Sequence, residues 1–342
     1  MFTWFWRSTL LLISLSAIGA AGVYFHLTKS MDIEGAKSFS VEAGMSGTKI
    51  GKQLAEEGWI VNPLLVRVAL KLNPQWVPKV GKYQIEPGMS LLTALALFDS
   101  GKAIQYQVTL IEGKTTLEYL KAMAQKGNIK MTLMGESNLT IAKKLALSVN
   151  HAEGQFFANT YTYSEGDTDR SILLQANKKL EQLLVKYWQS HDKKLPYKNA
   201  QDALIMASIV EKETGAKVER PIIAGVFINR LNRKMRLQTD PTVIYGLGVS
   251  FDGNIRRKHL KQKTPYNTYR IHGLPPTPIA NVGEDAIRAA LNPKKTKALY
   301  FVARGDGTHI FSNTLKQHNA AVAKYQRFQR RKDYQSKPSQ AQ

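Results

Sequence analysis

The stretch Ala203–Gly248 reads ALIMASIVEKETGAKVERPIIAGVFINRLNRKMRLQTDPTVIYGLG, and the rest of the chain is interpreted around it. Its pattern predicts a helix, a short break, a second helix and a polar loop. Met206, Ile209 and Val210 mark one face of the first helix at the i, i+3, i+4 spacing, and Glu213 continues that face at i+7. The sequence therefore places a carboxylate at the end of an apolar stripe.

Glu213 is the candidate general acid. A carboxylate at the edge of an apolar face loses hydration, so its neutral form is favoured and its pKa rises. A pKa raised towards neutrality is what an acid for glycosidic cleavage requires. Glu211, two positions earlier, points to the other side of the helix together with Leu204 and Ser208. The alternative is a solvated glutamate on a helix surface, and periodicity alone leaves that alternative open.

Several blocks carry a resemblance to a known family. ASIVEKET at 207–214, followed by GVFINRLNRKMRLQTDPTVIYGLG at 225–248, resembles the signature of the YceG-like (MltG) family of endolytic murein transglycosylases. Further matching blocks are TPYNTYRIHGLPPTPIANVG, LYFVARGDGTHIFSNT and the His318-Asn319 pair. The resemblance covers nearly the whole chain after its N-terminal apolar segment. It implies that the second glutamate of EKET, Glu213, is the catalytic acid.

The resemblance implies a lytic transglycosylase that cleaves the MurNAc–GlcNAc bond of nascent peptidoglycan strands. In such an enzyme one glutamate acts as acid and then as base, and the sugar's own 6-hydroxyl closes a 1,6-anhydro-MurNAc end without consuming water. Cutting near the membrane would terminate strand elongation. The expected partners are glycan strands and the membrane, with peptidoglycan synthases as candidates, and no cofactor or metal is expected. The chain departs from the family pattern E-G-x-x-x-P-D-T-Y at Ala158 and Asn159, so we assign no acidic role there.

The substrate-binding candidates follow the second helix or lie near the C-terminus. We expect these residues to line or support the site: Gln238, Thr239, Asp240, Tyr245, Tyr266, Asn267, Tyr269, His318 and Asn319. Asp240 has an alternative role as the N-cap of a helix that starts with Pro241. The basic segment Phe251–Arg270 is either a solvated loop or a rim that holds an anionic substrate. Its tyrosines offer flat faces that suit sugar rings.

Composition limits the other classes of function. The 342 residues carry 48 Lys and Arg against 26 Asp and Glu, a net charge of +22, which predicts attraction to polyanions or anionic membrane surfaces. The chain has no cysteine, no P-loop, no GxGxxG and no HExxH, and its seven histidines lack metal-ligand spacing. Two alternatives stay open: a non-catalytic, membrane-anchored glycan-binding protein and a basic nucleic-acid binder. No recognised nucleic-acid module is present, so nucleic acid is not an expected partner.

The N-terminal apolar segment predicts a membrane anchor. Ser8–Leu27 is a run of 20 residues without Asp, Glu, Lys or Arg, and at about 1.5 Å per residue it spans a hydrocarbon core. Trp4 and Trp6 precede it, as in an aromatic belt. The alternative is a cleaved signal peptide, but the apolar run continues past the small residues around Ala20. We expect residues 1–7 in the cytoplasm, a transmembrane helix at 8–27, and the remainder in the periplasm at the inner membrane.

The predicted fold class is α+β, with the transmembrane helix followed by two parts. Residues 38–105 hold two strand, turn and helix units, with Ser46 and Ser90 as helix caps. They resemble a LysM module, a type that binds N-acetylglucosamine polymers, and the alternative is a spacer. Residues 106–328 form the larger mixed α/β YceG-like catalytic domain, and 329–342 a basic flexible tail.

Periodicity and turn signals predict the remaining elements of the catalytic part. Helices are expected at 117–127, 133–148, 172–190, 222–231, 285–291 and 315–328. A strand is expected at 105–112. A hairpin is expected from 299–303 and 309–312, with the Asp-Gly pair at 306–307 as its turn signal.

Overall fold

The computed structural model describes residues 2–328, so the predicted basic tail at 329–342 lies outside the described residues. The chain divides into two compact units. The first runs to Tyr106 and includes Thr162–Asp167, and the second comprises Gln107–Tyr161 and the chain from Thr168 onward. The first unit therefore takes in a short later segment that the sequence did not assign to it.

The first unit begins with helix α1 (Phe2–Thr28). Its part Thr9–Thr28 is the one helix among the described residues that is long and apolar enough to cross a membrane. Most of its side chains are exposed, but Leu27 is buried in the hydrophobic core of the unit and Val23 packs against that core. The end of the apolar helix is thus part of a folded structure.

The rest of the first unit is a two-stranded antiparallel sheet with three helices. The elements are β1 (Lys37–Val41), α2 (Gly47–Glu56), α3 (Leu64–Leu72), β2 (Gly81–Ile85) and α4 (Leu91–Ser100). The predicted caps Ser46 and Ser90 are confirmed, since their side chains accept hydrogen bonds from Lys49 N and Thr93 N. Helix α3 was not predicted. The order β–α–α–β–α therefore replaces the simple repeat that the sequence indicated.

The second unit contains most of the helices. Strand β3 (Gln105–Thr109) pairs with β4 (Thr160–Ser164), and the division between the two units falls within both strands. The remaining elements are α5 (Thr116–Ala124), α6 (Asn138–Lys144), β4 (Thr160–Ser164), α7 (Asp169–Gln189), α8 (Ala200–Glu213), α9 (Arg220–Asn232), α10 (Asp240–Leu247), α11 (Arg257–Lys261), α12 (Glu284–Leu291), β5 (Tyr300–Ala303), β6 (His309–Ser312) and α13 (Leu315–Val322). The predicted hairpin is confirmed, with β5 and β6 antiparallel.

Helix α8 lies at the centre of the second unit. Every residue from Ala203 to Glu211 is buried, because α7, α9, α10 and α12 all pack against it. A helix that is apolar around most of its circumference is expected to be buried in this way. Gly225 on α9 permits a close contact, since a Cβ there would lie 2.3 Å from the carbonyl oxygen of Lys294. Helix α8 therefore ends at Glu213 among closely packed elements of the second unit.

Two predicted helices differ from the structure, and one strand was not predicted. The predicted helix at 133–148 is only α6, because Gly135 adopts φ 83° and Ser137 caps a helix that begins after it. Strand β4 was not predicted, although its sequence TYTYS alternates. The predicted helix at 315–328 is α-helical to Val322 and continues as a π-helical turn over Ala323–Phe328.

Candidate functional site

An open cleft of about 600 Å³ in the second unit contains the end of α8. It lies between α8, α9, the loop before α10, the β5–β6 hairpin and α13. Seven of the ten residues singled out in the sequence line it: Glu213, Gln238, Thr239, Asp240, Tyr269, His318 and Asn319. The fold thus brings residues more than a hundred positions apart into one site.

Glu213 is the last residue of α8, and its carboxyl group lies in the wall of the cleft. The Thr239 hydroxyl donates a hydrogen bond to Glu213 Oε1. Burial raises the pKa of Glu213 to about 7, and the negative charge of Asp240 adds to the rise. The Thr239 hydrogen bond and the Arg230 guanidinium act in the opposite direction. Near neutral pH this side chain is thus available in both protonation states, as acid–base catalysis requires.

The turn that carries Thr239 is fixed by several hydrogen bonds. Gln238 has φ 53°, in the left-handed region that non-glycine residues rarely adopt. Arg230 Nη1 donates to the Leu237 carbonyl at 2.9 Å and to Gln238 Oε1 at 3.2 Å. Thr239 N donates to Thr268 Oγ1 at 3.0 Å. These contacts hold an unfavourable backbone conformation that directs the Thr239 hydroxyl at Glu213.

Asp240 lies beside Glu213 in the cleft and is exposed. Its Oδ1 accepts a hydrogen bond of 2.7 Å from the Tyr269 hydroxyl, which fixes the tyrosine ring at the cleft. The N-cap of α10 is Thr239, so Asp240 is the first helical residue. The alternative role of Asp240 as the N-cap is therefore wrong by one position, and its side chain is free to face the site.

The far wall of the cleft is aromatic. His318 on α13 stacks on Tyr300 at a ring distance of 5.2 Å, and the Arg230 guanidinium lies 5.0 Å from the centre of the Tyr300 ring. Burial and the nearby Arg230 lower the pKa of His318, so its neutral form is favoured. Its Nδ1 is buried and has no hydrogen-bond partner in residues 2–328. Asn319, the next residue, is exposed at the cleft.

Three predicted site residues do not line this cleft. Asn267 is fully buried, and its amide donates to the carbonyls of three residues of the basic segment: His259, Leu260 and Gln262. Tyr266 donates to, or accepts from, Thr277 Oγ1 at 2.8 Å. Tyr245 packs on Tyr266 and donates to the buried Glu153 at 3.2 Å. The geometry of these residues favours a supporting role over direct lining.

Glu211 occupies a different environment from Glu213. It forms a buried ion pair with Arg220, the first residue of α9, and accepts a hydrogen bond of 3.1 Å from Gly283 N. Burial raises the pKa of Glu211, while Arg220 and the Gly283 N–H oppose that rise. Glu211 does not line the cleft, and its partners connect α8 to α9 and α12.

Two basic residues that line the cleft were not singled out from the sequence. Arg230 is one, although its position at i+4 from Val226 and i+3 from Phe227 places it on the core face of α9 and was a usable signal. The other is His309, whose N and Nδ1 both contact the carboxylate of Glu219, at 2.9 and 2.7 Å. No periodic sequence pattern predicts a contact between two residues that are 90 positions apart. In residues 2–328 there is also no group of three or more His, Asp or Glu side chains that could hold a metal ion.

The fold and the cleft define a family. The model of the YceG-like family matches residues 39–324, and the chain belongs to that family. A crystal structure of a YceG-like protein from Listeria monocytogenes matches 84% of this chain and all of that one, with 30% identity and a TM-score of 0.53.

Relatives with a named activity are also similar to this chain. A Bacillus subtilis protein named endolytic murein transglycosylase is 33% identical over 305 residues, which are 84% of each chain. A Streptococcus pneumoniae protein of the same name is 29% identical over 91% of this chain. The match covers 63% of that longer relative.

Proposed function

We propose that this protein is a membrane-anchored endolytic transglycosylase that cleaves the MurNAc–GlcNAc bond of peptidoglycan and leaves 1,6-anhydro-MurNAc ends. One observation carries the proposal: a glutamate with a pKa of about 7 in the wall of an open cleft. The names of the Bacillus and Streptococcus relatives support the substrate class. The alternative of a glycan-binding protein without activity gives no reason for a carboxyl group held near its titration point.

In the first step, protonated Glu213 donates its proton to the glycosidic oxygen as the C1–O bond breaks. Positive charge then develops on the sugar ring, and the carboxylate left on Glu213 stabilises it. The Thr239 hydroxyl, which donates to one carboxylate oxygen, leaves the other oxygen to face the substrate. Tyr269 and the Tyr300–His318 stack offer flat surfaces for sugar rings in the same cleft.

In the second step, the Glu213 carboxylate accepts the proton of the sugar's 6-hydroxyl as that oxygen bonds to C1. The 1,6-anhydro ring closes, Glu213 regains its proton, and no water is consumed. A single residue with a pKa near 7 suits both transfers, because neither protonation state is strongly disfavoured at neutral pH. The cycle needs no second carboxylate.

Asp240 is the other carboxylate that lines the cleft. A hydrolase would use such a group as nucleophile or as the base that activates water. Asp240 instead accepts a hydrogen bond from Tyr269, which gives it a role in fixing that ring. We therefore assign Asp240 to positioning and to the electrostatics of Glu213.

The apolar helix Thr9–Thr28 would anchor the enzyme in the inner membrane, with the cleft on the periplasmic side where peptidoglycan lies. In this arrangement the enzyme cuts nascent strands near their site of synthesis, and peptidoglycan synthases are candidate partners. The sheet and helices between Lys37 and Ser100 form the proposed LysM-like glycan-binding unit.

The test is the chemistry of the products made from purified glycan strands by the full chain in detergent. We expect 1,6-anhydro ends and no new reducing ends, both from the wild type and from Asp240→Asn. New reducing ends that disappear in Asp240→Asn would identify a hydrolase that uses Asp240. Binding of strands without any cleavage would support the glycan-binding alternative.

A further inference from the structure

An exposed apolar ridge crosses the first unit next to the end of α1. It consists of Val61, Leu64, Val68 and Leu72, of which the last three lie on one face of α3 at the i, i+4, i+8 spacing. The opposite face of α3, with Val66 and Ala69, is buried in the core. Helix α3 is therefore apolar on both sides, although only one side packs against protein.

The segment that holds this ridge is basic. Residues 58–85 contain Arg67, Lys71, Lys79 and Lys82 and no Asp or Glu. Arg67 and Lys71 are exposed on α3 itself, next to the apolar ridge. A helix with an apolar face and flanking cations is typical of segments that lie in the headgroup region of anionic membranes.

The ridge begins beside the end of the apolar helix α1, at Val61. Helices α1 and α3 contact each other, and Val61 and Leu65 line the same small cavity as His26 and Lys29 at the end of α1. The first unit packs against α1 from Val23 onward. If Thr9–Thr28 spans the hydrocarbon core, the folded unit begins five residues, or roughly 7 Å, inside that core.

This depth equals the usual immersion of an interfacial helix. Amphipathic helices place their apolar face about 5–10 Å into the boundary between headgroups and acyl chains. A span of 20 residues leaves no excess length to lift the unit clear of the bilayer. With Thr9–Thr28 in the hydrocarbon core, the start of α3 and the residues before it would lie close to the membrane boundary.

We propose that α3 and its ridge are embedded in the anionic lipid surface, so that the first unit rests on the bilayer as a second membrane contact. The inference rests on the proposed anchor. It would fix the orientation of the first unit to the membrane, where a single helix alone would leave it free to rotate. The occupant is lipid, because the ridge joins a membrane-spanning helix and carries the charge that attracts anionic headgroups.

The test uses single cysteines, which the cysteine-free chain makes specific. The full chain carries an environment-sensitive NBD label at Val68→Cys, at Lys52→Cys on an exposed position of α2, or at Ile18→Cys near the middle of the span. Each protein is reconstituted into phosphatidylcholine–phosphatidylglycerol vesicles with a doxyl quencher near the headgroup or deep in the acyl chains.

We expect the headgroup quencher to reduce emission at position 68 and the deep quencher to reduce it at position 18, with neither quencher acting at position 52. Adding Arg67→Glu and Lys71→Glu to Val68→Cys should weaken docking of α3 on the lipid surface, by roughly fivefold for each positive charge lost.

Emission at 68 that matches 52, with 18 quenched, would overturn the inference and leave the anchor intact. A blue-shifted label at 68 that lipid quenchers do not reach would mean that a second copy or another protein covers the ridge, which also overturns it. An unquenched label at 18 would contradict the anchor itself.

Discussion

Glu211 and Glu213 stand two residues apart at the end of the same helix, and their surroundings differ completely. Glu211 is buried against the Arg220 guanidinium and the Gly283 N–H. Glu213 reaches an open cleft, where a neutral hydroxyl is its hydrogen-bond donor. Burial raises the pKa of both carboxyl groups. Glu211 forms a direct ion pair with Arg220, whereas Arg230 acts on Glu213 only through its nearby charge.

Burial alone therefore does not distinguish Glu213, the proposed catalytic acid, from Glu211. A carboxylate that is paired with a buried cation connects helices, and protonation of that carboxylate would break the ion pair. A carboxyl group that has a raised pKa, accepts a hydrogen bond from a neutral group and faces an open cleft can exchange its proton with a ligand. The loop from Leu237 to Asp240 supplies these conditions for Glu213 alone.

The largest expected effect on stability comes from breaking the ion pair between Glu211 and Arg220. Arg220→Met leaves a buried carboxyl group without its cation, which should lower the free energy of unfolding by about 3–5 kcal/mol at pH 7. Urea denaturation followed by circular dichroism measures this change. The double variant Glu211→Leu/Arg220→Met is the control and should recover most of the loss, because neither charge remains buried. Equal stability of Arg220→Met and wild type would contradict a structural role for the pair.

Glu213→Gln should raise the free energy of unfolding at alkaline pH, whereas Arg220→Met lowers the free energy of unfolding. The folded pKa of about 7 exceeds the unfolded value of about 4.5, so the folded protein binds the proton more tightly. This stabilisation is complete below about pH 4.5 and is lost as the pH rises through 7. Gln has no such loss, so the variant should be more stable than wild type by about 1–3 kcal/mol at pH 8, after discounting for partial exposure.

Thermal and urea unfolding of Glu213→Gln and wild type at pH 4 and pH 8 measure the effect. The two proteins should be similar at pH 4 and differ at pH 8. A stability difference that does not change with pH, or one that favours wild type at pH 8, would mean that the pKa of Glu213 is not raised.

Thr239→Val should move the pH dependence of cleavage. The valine removes the hydrogen bond that stabilises the Glu213 carboxylate, so the pKa of Glu213 rises further, by about 1 unit. Because the free enzyme must be protonated, the alkaline limb of kcat/KM should shift to higher pH. Thr242→Val is the matched control, since the Thr242 hydroxyl contacts the Thr239 carbonyl and not Glu213. An alkaline limb that shifts equally in Thr239→Val and Thr242→Val would contradict a specific effect of the Thr239 hydrogen bond and would assign the shift to a change in the whole turn.

Asp240→Asn should give the smallest shift of the alkaline limb of kcat/KM, and this shift should be towards lower pH. Removing the negative charge lowers the pKa of Glu213, by a few tenths of a unit for an exposed neighbour, and the shift should shrink in high salt. The alkaline limb of kcat/KM in low and high salt is the measurement. Asp252→Asn removes an exposed acid that pairs with Arg256 and gives the background effect of one lost charge. A limb that moves upward would contradict the electrostatic role of Asp240.

Local patterns predicted much of this fold. The apolar periodicity of α8, the caps Ser46 and Ser90, and the β5–β6 hairpin all depend on neighbours in the sequence, and the structure confirms them. The placement of Glu213 at the end of the apolar face follows from the same periodicity. The family motifs then indicated which distant residues to consider.

Contacts through space were not predictable in this way. The Glu211–Arg220 pair joins two helices, and the periodicity that placed Glu211 on the other side of α8 did not predict its partner. Tyr245 lies in the same sequence block as Thr239 and Tyr266 in the next one, yet their hydroxyls contact Glu153 and Thr277 and neither residue lines the cleft. The direction of these side chains depends on packing within the whole second unit.

The central claim is that Glu213 performs the chemistry and Glu211 supports the fold. The most direct measurement is the rate of 1,6-anhydro product formation by Glu213→Gln and by Glu211→Leu/Arg220→Met, each assayed well below its melting temperature. Each proton transfer is worth about 10²–10⁴-fold, so Glu213→Gln should show near-total loss while melting no lower than wild type. The double variant should keep most of its activity. An active Glu213→Gln enzyme, or a folded but inactive double variant, would contradict the account.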